Sequence, residues 1–161
     1  MKLTSTLAGA FALGLLAAPV LAQDITIQDA YMRTSGPMAK TAAAFMHIQN
    51  AADSDDRLVG ARSDIAAKVE THTHITSDDG VMKMRRVDGG FVIPAQGEHV
   101  LARGGDHLMF MGLNTSLKDG DSVHVVLVFE NAGEIEIDIP VDLNRSPEMK
   151  MDMKMDHSSD G

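Results

Sequence analysis

The sequence predicts an all-β protein, a sandwich or barrel of short strands, and two observations indicate this fold class. Apolar and polar residues alternate with the period of two that is typical of strands. Turn-forming Gly, Asp, Asn and Pro residues recur between these stretches. Strands separated by turns at intervals of roughly eight to twelve residues are typical of sandwiches and barrels, not of alternating β and α units.

Five stretches carry the strand pattern. Residues 25–31 (ITIQDAY), 68–75 (KVETHTHI) and 134–141 (EIEIDIPV) alternate between apolar and polar side chains. Residues 122–129 (SVHVVLVF) form a β-branched run that suits a strand buried on both faces. Residues 39–48 (AKTAAAFMHI) have a composition that a helix would tolerate, but we predict a strand because the neighbouring segments are strand-like.

The first 22 residues have the pattern of a secretory signal peptide. Lys2 precedes an apolar run over residues 7–16, and small residues end the segment at Ala22. The run is short for a membrane span of roughly 20 residues, so we predict cleavage after Ala22. The mature chain then comprises a β-sandwich domain over residues 23–143 and a flexible, disordered polar tail over residues 144–161.

The composition excludes several functions. The net charge is −9, and removal of Lys2 with the leader leaves 13 basic and 23 acidic residues, or −10. Such a charge disfavours nucleic acid and anionic lipid as partners. The chain has no Cys and therefore neither disulfides nor a thiol nucleophile. It has 12 Met, while aromatic residues make up only 4%, so the methionine excess does not reflect general hydrophobicity.

Three stretches of the body place His and Met two residues apart, and residues at this spacing share one face of a strand. They are His72 with His74, Met82 with Met84, and His107 with Met109 and Met111. Each stretch lies next to a turn, so we expect the three to converge at one end of the sandwich. Isolated Met and His residues are interpreted as structural. We assign Met32, Met38 and Met46 to the core, and His47, His99 and His124 to structural roles.

Imidazole with thioether is a donor set of neutral, largely soft ligands, which suits Cu(I) and is poor for Zn²⁺, Mg²⁺ or Ca²⁺. In an oxidising compartment Cys ligands would risk disulfide formation, whereas Met oxidises reversibly. The combination of many Met and no Cys is what an exported Cu(I) site requires. A blue-copper centre needs a Cys thiolate, and we find no Ser-His-Asp signature, so we predict that the protein is not an enzyme.

The same stretches resemble the PCuAC family of periplasmic copper chaperones. The resemblance rests on His72, GVMKMR at 80–85, IPAQG at 93–97 and GGDHLMFMGL at 104–113, and it covers residues 24–141. It implies a cupredoxin-like Greek-key β-sandwich that acts as a periplasmic monomer. It also implies delivery of Cu(I) for cytochrome c oxidase copper-centre assembly, with an oxidase subunit or a Sco-type protein as recipient.

By position, the resemblance assigns four copper ligands: His72, Met84, His107 and Met109. The hairpin at 76–80 is one residue longer than the family pattern. The sequence therefore leaves open whether His72 or His74 is the first ligand. Met82 and Met111 share faces with the assigned methionines and are weaker candidates.

The tail repeats the motif M-K-M-D and ends in a histidine. Its soft donors are Met149, Met151, Met153, Met155 and His157. Asp152, Asp156 and His157 add harder donors that could hold Cu(II). Disordered segments are normally poor in apolar residues, so we favour copper capture over a merely solubilising tail. The predicted function is a copper metallochaperone, and the alternative is copper storage or detoxification without a dedicated recipient.

Overall fold

The computed structural model describes residues 24–77 and 80–146. The predicted signal peptide and its cleavage after Ala22, and the tail from residue 147 onward, lie outside the described residues. Regular secondary structure in the described part of the chain consists of ten strands. Over those residues, no helix has the length and apolar character needed to cross a membrane.

The strands follow one another along the chain with short connections. They are β1 (Ile25–Thr34), β2 (Thr41–Asn50), β3 (Asp56–Arg62), β4 (Ala66–Thr76), β5 (Met82–Arg86), β6 (Phe91–Ile93), β7 (Gly97–Leu101), β8 (His107–Leu113), β9 (Ser122–Phe129) and β10 (Glu134–Pro140).

The strands pair antiparallel in the order β1-β2-β8-β4-β3-β9-β10, while β5 pairs with β4, β6 with β3 and β7 with β2. Neighbours such as β2–β8 and β3–β9 are distant in sequence, so their connections cross the fold as in a Greek key. A parallel bridge between Met32 and Val141 brings β1 against the end of β10 and nearly closes the sheet. The prediction of an all-β Greek-key sandwich is confirmed.

Alternate residues of most strands fill the interior, as the period of two predicts. Met32 and Met46 are buried in the core, in agreement with the sequence interpretation. Met38 is 84% exposed, so its assignment to the core is wrong; it follows β1 in a turn, not in a strand. Residues 39–48 lie almost entirely in β2, which confirms a strand there.

The prediction that residues 122–129 are buried on both faces is wrong. In β9, Val123, Val125 and Leu127 are buried, whereas Ser122 and His124 are exposed on the other face. Because β9 lies between β3 and β10 in a sheet with one covered face, β-branched residues occupy both faces but only one faces the core.

Candidate metal centre

The strand register brings the His and Met pairs to one face of the sheet. His72 of β4 lies opposite His107 of β8, and His74 lies opposite Met84 of β5. Residues directly opposite one another in an antiparallel pair project from the same face, and Met109 shares that face with His107. The stretches therefore converge because β4 pairs with both β5 and β8. The sequence predicted convergence at a loop end, and the structure produces it across a sheet face.

Three imidazole rings cluster there. The His107 ring centroid lies 5.0 Å from that of His74 and 5.9 Å from that of His72. Phe45 of β2 also packs against His107, with ring centroids 6.2 Å apart. His107 is only 1% exposed, so this imidazole forms the floor of the site.

The backbone determines which nitrogen of His107 is available to a metal. Its Nδ1 lies 3.0 Å from the carbonyl oxygen of Gly105, and because a carbonyl can only accept, Nδ1–H donates. The lone pair is therefore on Nε2. Burial lowers the pKa of His107 below its usual value, with His74 and His72 acting in the same direction. The ring is neutral near pH 7, as a metal ligand must be.

A carboxylate determines the corresponding choice for His72. Its Nε2 lies 3.0 Å from Oε2 of Glu70, and the other carboxylate oxygen, Oε1, accepts from Lys68 at 2.8 Å and from Arg86 at 3.4 Å. Hydrogen bonds from Lys68 and His72, together with the charges of Lys68 and Arg86, lower the pKa of Glu70 to about 2. An ionised carboxylate only accepts, so His72 donates Nε2–H and keeps its lone pair on Nδ1.

Two buried nitrogen atoms on this face have no hydrogen-bond partner: Nδ1 of His72 and Nδ1 of His74. Buried polar atoms of folded proteins are almost always hydrogen-bonded, so each exception requires an explanation. A metal ion bound to these lone pairs would supply one. The residues present thus fit a metal centre. In His72 the nitrogen without a hydrogen-bond partner, Nδ1, is also the nitrogen that carries the lone pair.

Two methionines lie on the same face as the imidazoles. Met84 and Met109 both line a cavity of about 300 Å³, together with Phe45, Arg33 and Arg103. Met84 is 50% exposed, so one side of the site is open to solvent. Imidazole nitrogen and thioether sulfur form a set that suits Cu(I).

The remaining sulfur candidates lie further from the imidazoles. Met82 is opposite Thr76 near the end of the β4–β5 hairpin, and Met111 is opposite Lys68 at the far end of β4. Neither lines the cavity that Met84 and Met109 share. In the described ranges, no three His, Asp or Glu side chains are arranged to hold a metal ion.

The sequence interpretation missed Glu70 and Phe45. Glu70 could have been found by the period-two rule, because it precedes His72 by two residues and so shares its face. Phe45 carried no signal, since its position beside His107 depends on the long-range pairing of β2 with β8. The predicted tail donors Met149, Met151, Met153, Met155 and His157 lie outside the described residues.

The fold of the chain is a PCuAC-like β-sandwich. It is similar to a "Copper-bound PCuAC domain from PmoF2" with a TM-score of 0.62 and 26% identity, over 74% of this chain and 93% of that one. It is also similar to "CuI-DR1885 from Deinococcus Radiodurans", with a TM-score of 0.59 and 30% identity, over 81% and 83% of the two chains. The match to the apo form of that protein has a TM-score of 0.59 and 29% identity, and it covers 89% of this chain and 95% of that one.

The chain belongs to the LpqE-like family, described as "Putative lipoprotein LpqE-like", whose model matches residues 25–141. A relative in Leifsonia xyli subsp. xyli (strain CTCB07), "Putative lipoprotein Lxx21020", is 31% identical over 120 residues. That match covers 74% of this chain and 70% of the relative. The family match thus spans the whole described sandwich, from the start of β1 to just beyond the end of β10.

Proposed function

We propose that this protein is an exported copper metallochaperone that holds Cu(I) on the β5-β4-β8 face. The observation that supports this most directly is the pair of buried, unpartnered imidazole nitrogens on the sheet face that also carries Met84 and Met109. The similarity to a copper-bound PCuAC domain and to the CuI form of DR1885 supports the same metal.

The proposed ligands are His72 through Nδ1, His107 through Nε2, Met84 and Met109. Each histidine donates its other ring N–H to a fixed acceptor, and this arrangement orients a ligating imidazole and fixes its tautomer. His74 is the alternative to His72, because its Nδ1 is likewise buried without a partner.

Transfer would proceed by stepwise ligand exchange. Met84 is half exposed on an edge strand, so a recipient's sulfur or imidazole can approach the metal from that side. One copper–ligand bond forms as the bond to Met84 breaks, with no change in oxidation state. We propose a cytochrome c oxidase subunit or a Sco-type protein as recipient, in the periplasm. We also propose that the tail, through Met149, Met151, Met153, Met155 and His157, captures additional copper.

The alternative function is copper storage or detoxification, which uses the same ligands without a recipient. Deletion of the gene separates the two functions. A defect in oxidase assembly that copper supplementation relieves would favour delivery. Copper sensitivity with normal oxidase would favour detoxification.

The first test is an anaerobic Cu(I) titration against a competing chromophoric chelator. We compare residues 23–161, the chain stopped at Ser146, and Met109→Ala in the stopped chain. We expect the stopped chain to bind one Cu(I) tightly. Met109→Ala should weaken binding by more than the roughly 10- to 100-fold that loss of a partner behind a ligand costs, and the tail should add capacity.

Met38→Ala is the matched control, because this methionine is exposed and lies in the turn after β1, outside the site. It should bind like the unaltered stopped chain. Absence of Cu(I) binding by the stopped chain would refute the body site, and copper taken up by the tail alone would not rescue it. His72→Ala and His74→Ala in the same assay identify the first histidine ligand.

A further inference from the structure

The end of the described chain is fastened to the body. The backbone N–H of Leu143 donates to Asp119 at 2.7 Å, and the side-chain amide of Asn144 donates to the same carboxylate at 3.0 Å. The N–H of Arg145 donates to Asp142 at 2.8 Å. Asn144 and Arg145, which the sequence assigns to the tail, thus have fixed positions against the sandwich.

Arg145 is held at both its side chain and its carbonyl. Its guanidinium forms an ion pair with Asp29 and lies over the Tyr31 ring, 4.1 Å from the centroid. Its carbonyl oxygen accepts hydrogen bonds from Arg33 and, at 3.4 Å, from Arg103. The point from which the tail departs is therefore fixed.

This departure point lies at the rim of the candidate site. Arg33 and Arg103, which hold the Arg145 carbonyl, also line the 300 Å³ cavity that contains Met84 and Met109. Met84, which lines the same cavity, is half exposed.

The length and pattern of the tail suit this cavity. Met149 is four residues beyond Arg145, a reach of up to roughly 14 Å for extended chain. Met149 and Met151 would project to the same side of an extended segment, with Glu148 and Lys150 on the other. Residues 147–161 contain four acidic residues and two Lys, and this net negative charge is attracted by the arginines of the cavity wall.

We propose that the tail docks as an extended segment in the cavity lined by Met84 and Met109, with Met149 and Met151 inserted beside the body site. Docking itself does not require the proposed function, but the delivery of copper by the docked tail does. In that step a bond from Cu(I) to Met84 or Met109 forms while a bond to a tail methionine breaks, without transfer of a proton or electron. Tethering makes the step intramolecular, with an effective concentration on the order of millimolar.

A second cavity is an alternative docking position for the tail. It measures about 570 Å³, is lined by Asp29, Tyr31, His47 and Val100 among others, and shares Arg103 with the first. The Met84 cavity is favoured because both arginines that hold the Arg145 carbonyl form its wall, whereas only Arg103 borders the second.

Disulfide trapping distinguishes these destinations, since a chain without Cys has no background reaction. Met149→Cys is combined with Thr41→Cys in the Met84 cavity, Val100→Cys in the second cavity, or Val92→Cys on β6, which lines neither. The metal-free protein, comprising residues 23–161, is oxidised in the presence of a chelator. We expect the Thr41 pair to close at least about tenfold faster than the other two, as effective concentration dictates. Faster closure of the Val100 pair, or equal rates for all three, would overturn the proposal.

Methyl NMR of labelled methionines provides a readout that needs no substitution. Met84 and Met109 methyl resonances should differ between residues 23–161 and the chain stopped at Ser146, while the buried Met32 and Met46 should not change. Identical Met84 and Met109 signals would also overturn docking. Both measurements use metal-free protein, so docking can fail while the Cu(I) titration succeeds, and the converse outcome is equally visible.

Discussion

At the scale of single residues, hydrogen bonds decide what each imidazole can bind. His107 donates to a backbone carbonyl and His72 to a carboxylate, so different ring nitrogens are left free in the two residues. The carboxylate of Glu70 is itself fixed by Lys68 and Arg86. Glu70 is therefore a positioning residue for His72, although it need not touch the metal.

Substitution of Glu70 tests this role. Glu70→Ala should weaken Cu(I) binding by roughly 10- to 100-fold, because the ring loses the acceptor that fixes its tautomer. Glu70→Gln keeps an acceptor oxygen and should recover most of the affinity. Chelator competition gives the affinities, and ¹⁵N chemical shifts of the His72 ring in metal-free protein report which nitrogen carries the proton. An unchanged tautomer and unchanged affinity in Glu70→Ala would show that His72 is oriented by other contacts.

The sequence predicted the His and Met pairs because period two depends on neighbours along one strand. It did not predict which strands are adjacent, and His72 meets His107 only because β4 pairs with β8. The choice between His72 and His74 also depended on information that spacing lacks. Both lie on the same face, and the hydrogen bond from His72 to Glu70 distinguishes their ring nitrogens.

At the scale of elements, local sequence patterns predicted where strands form, but they did not predict which face of a strand is buried. The β-branched run of β9 favours an extended chain at every position, so it indicates a strand without indicating which face is covered. The connection from β5 to β6 shows a constraint of a different kind. Gly90 has a φ of +74° and lies against the backbone of β3, where an added Cβ would come within 1.9 Å of the Leu58 carbonyl oxygen.

This turn offers a matched pair of substitutions. Gly90→Ala should lower the free energy of unfolding by about 3–5 kcal/mol, because it combines an unfavourable φ with a backbone clash. Gly89→Ala has a similar φ of +88° with nothing within 4 Å, and should cost only about 1–2 kcal/mol. Urea unfolding of the metal-free proteins measures both. Equal losses would mean that φ alone sets the cost and that β6 can shift away from Leu58.

At the scale of the whole molecule, the near closure of the sheet brings the end of the described chain to β1, and only β2 separates β1 from β8 of the candidate site. β1 lies beside β2 and also meets Val141 after β10, so Arg145 emerges next to Arg33. The acidic tail therefore starts beside a locally basic rim on an otherwise acidic protein. The composition of the tail and the candidate donors could be predicted from the sequence, but the position of Arg145 beside Arg33 depends on the closure of the sheet.

The free energy of unfolding of the metal-free protein should depend on pH through His107, the buried imidazole of the candidate site. Burial lowers the pKa of His107 in the folded state relative to the unfolded chain, where it is about 6.5. The unfolded chain therefore binds the proton more tightly, and acidification favours unfolding. The stabilisation is fully present above pH 6.5 and is lost as the pH falls through that value toward the lower, folded pKa.

Urea unfolding at pH 7.5, 6.5 and 5.5 in the presence of a chelator measures this effect. The free energy of unfolding should decline over this interval in the wild type, and His107→Leu should decline less because the titrating group is gone. His124→Leu, which replaces an exposed imidazole of β9, should keep the wild-type decline. A wild type with constant stability, or a His107→Leu variant with the full decline, would show that His107 is not the group that links protonation to folding. The pKa of Glu70, about 2, lies far below this interval, so the carboxyl of Glu70 does not contribute to the decline.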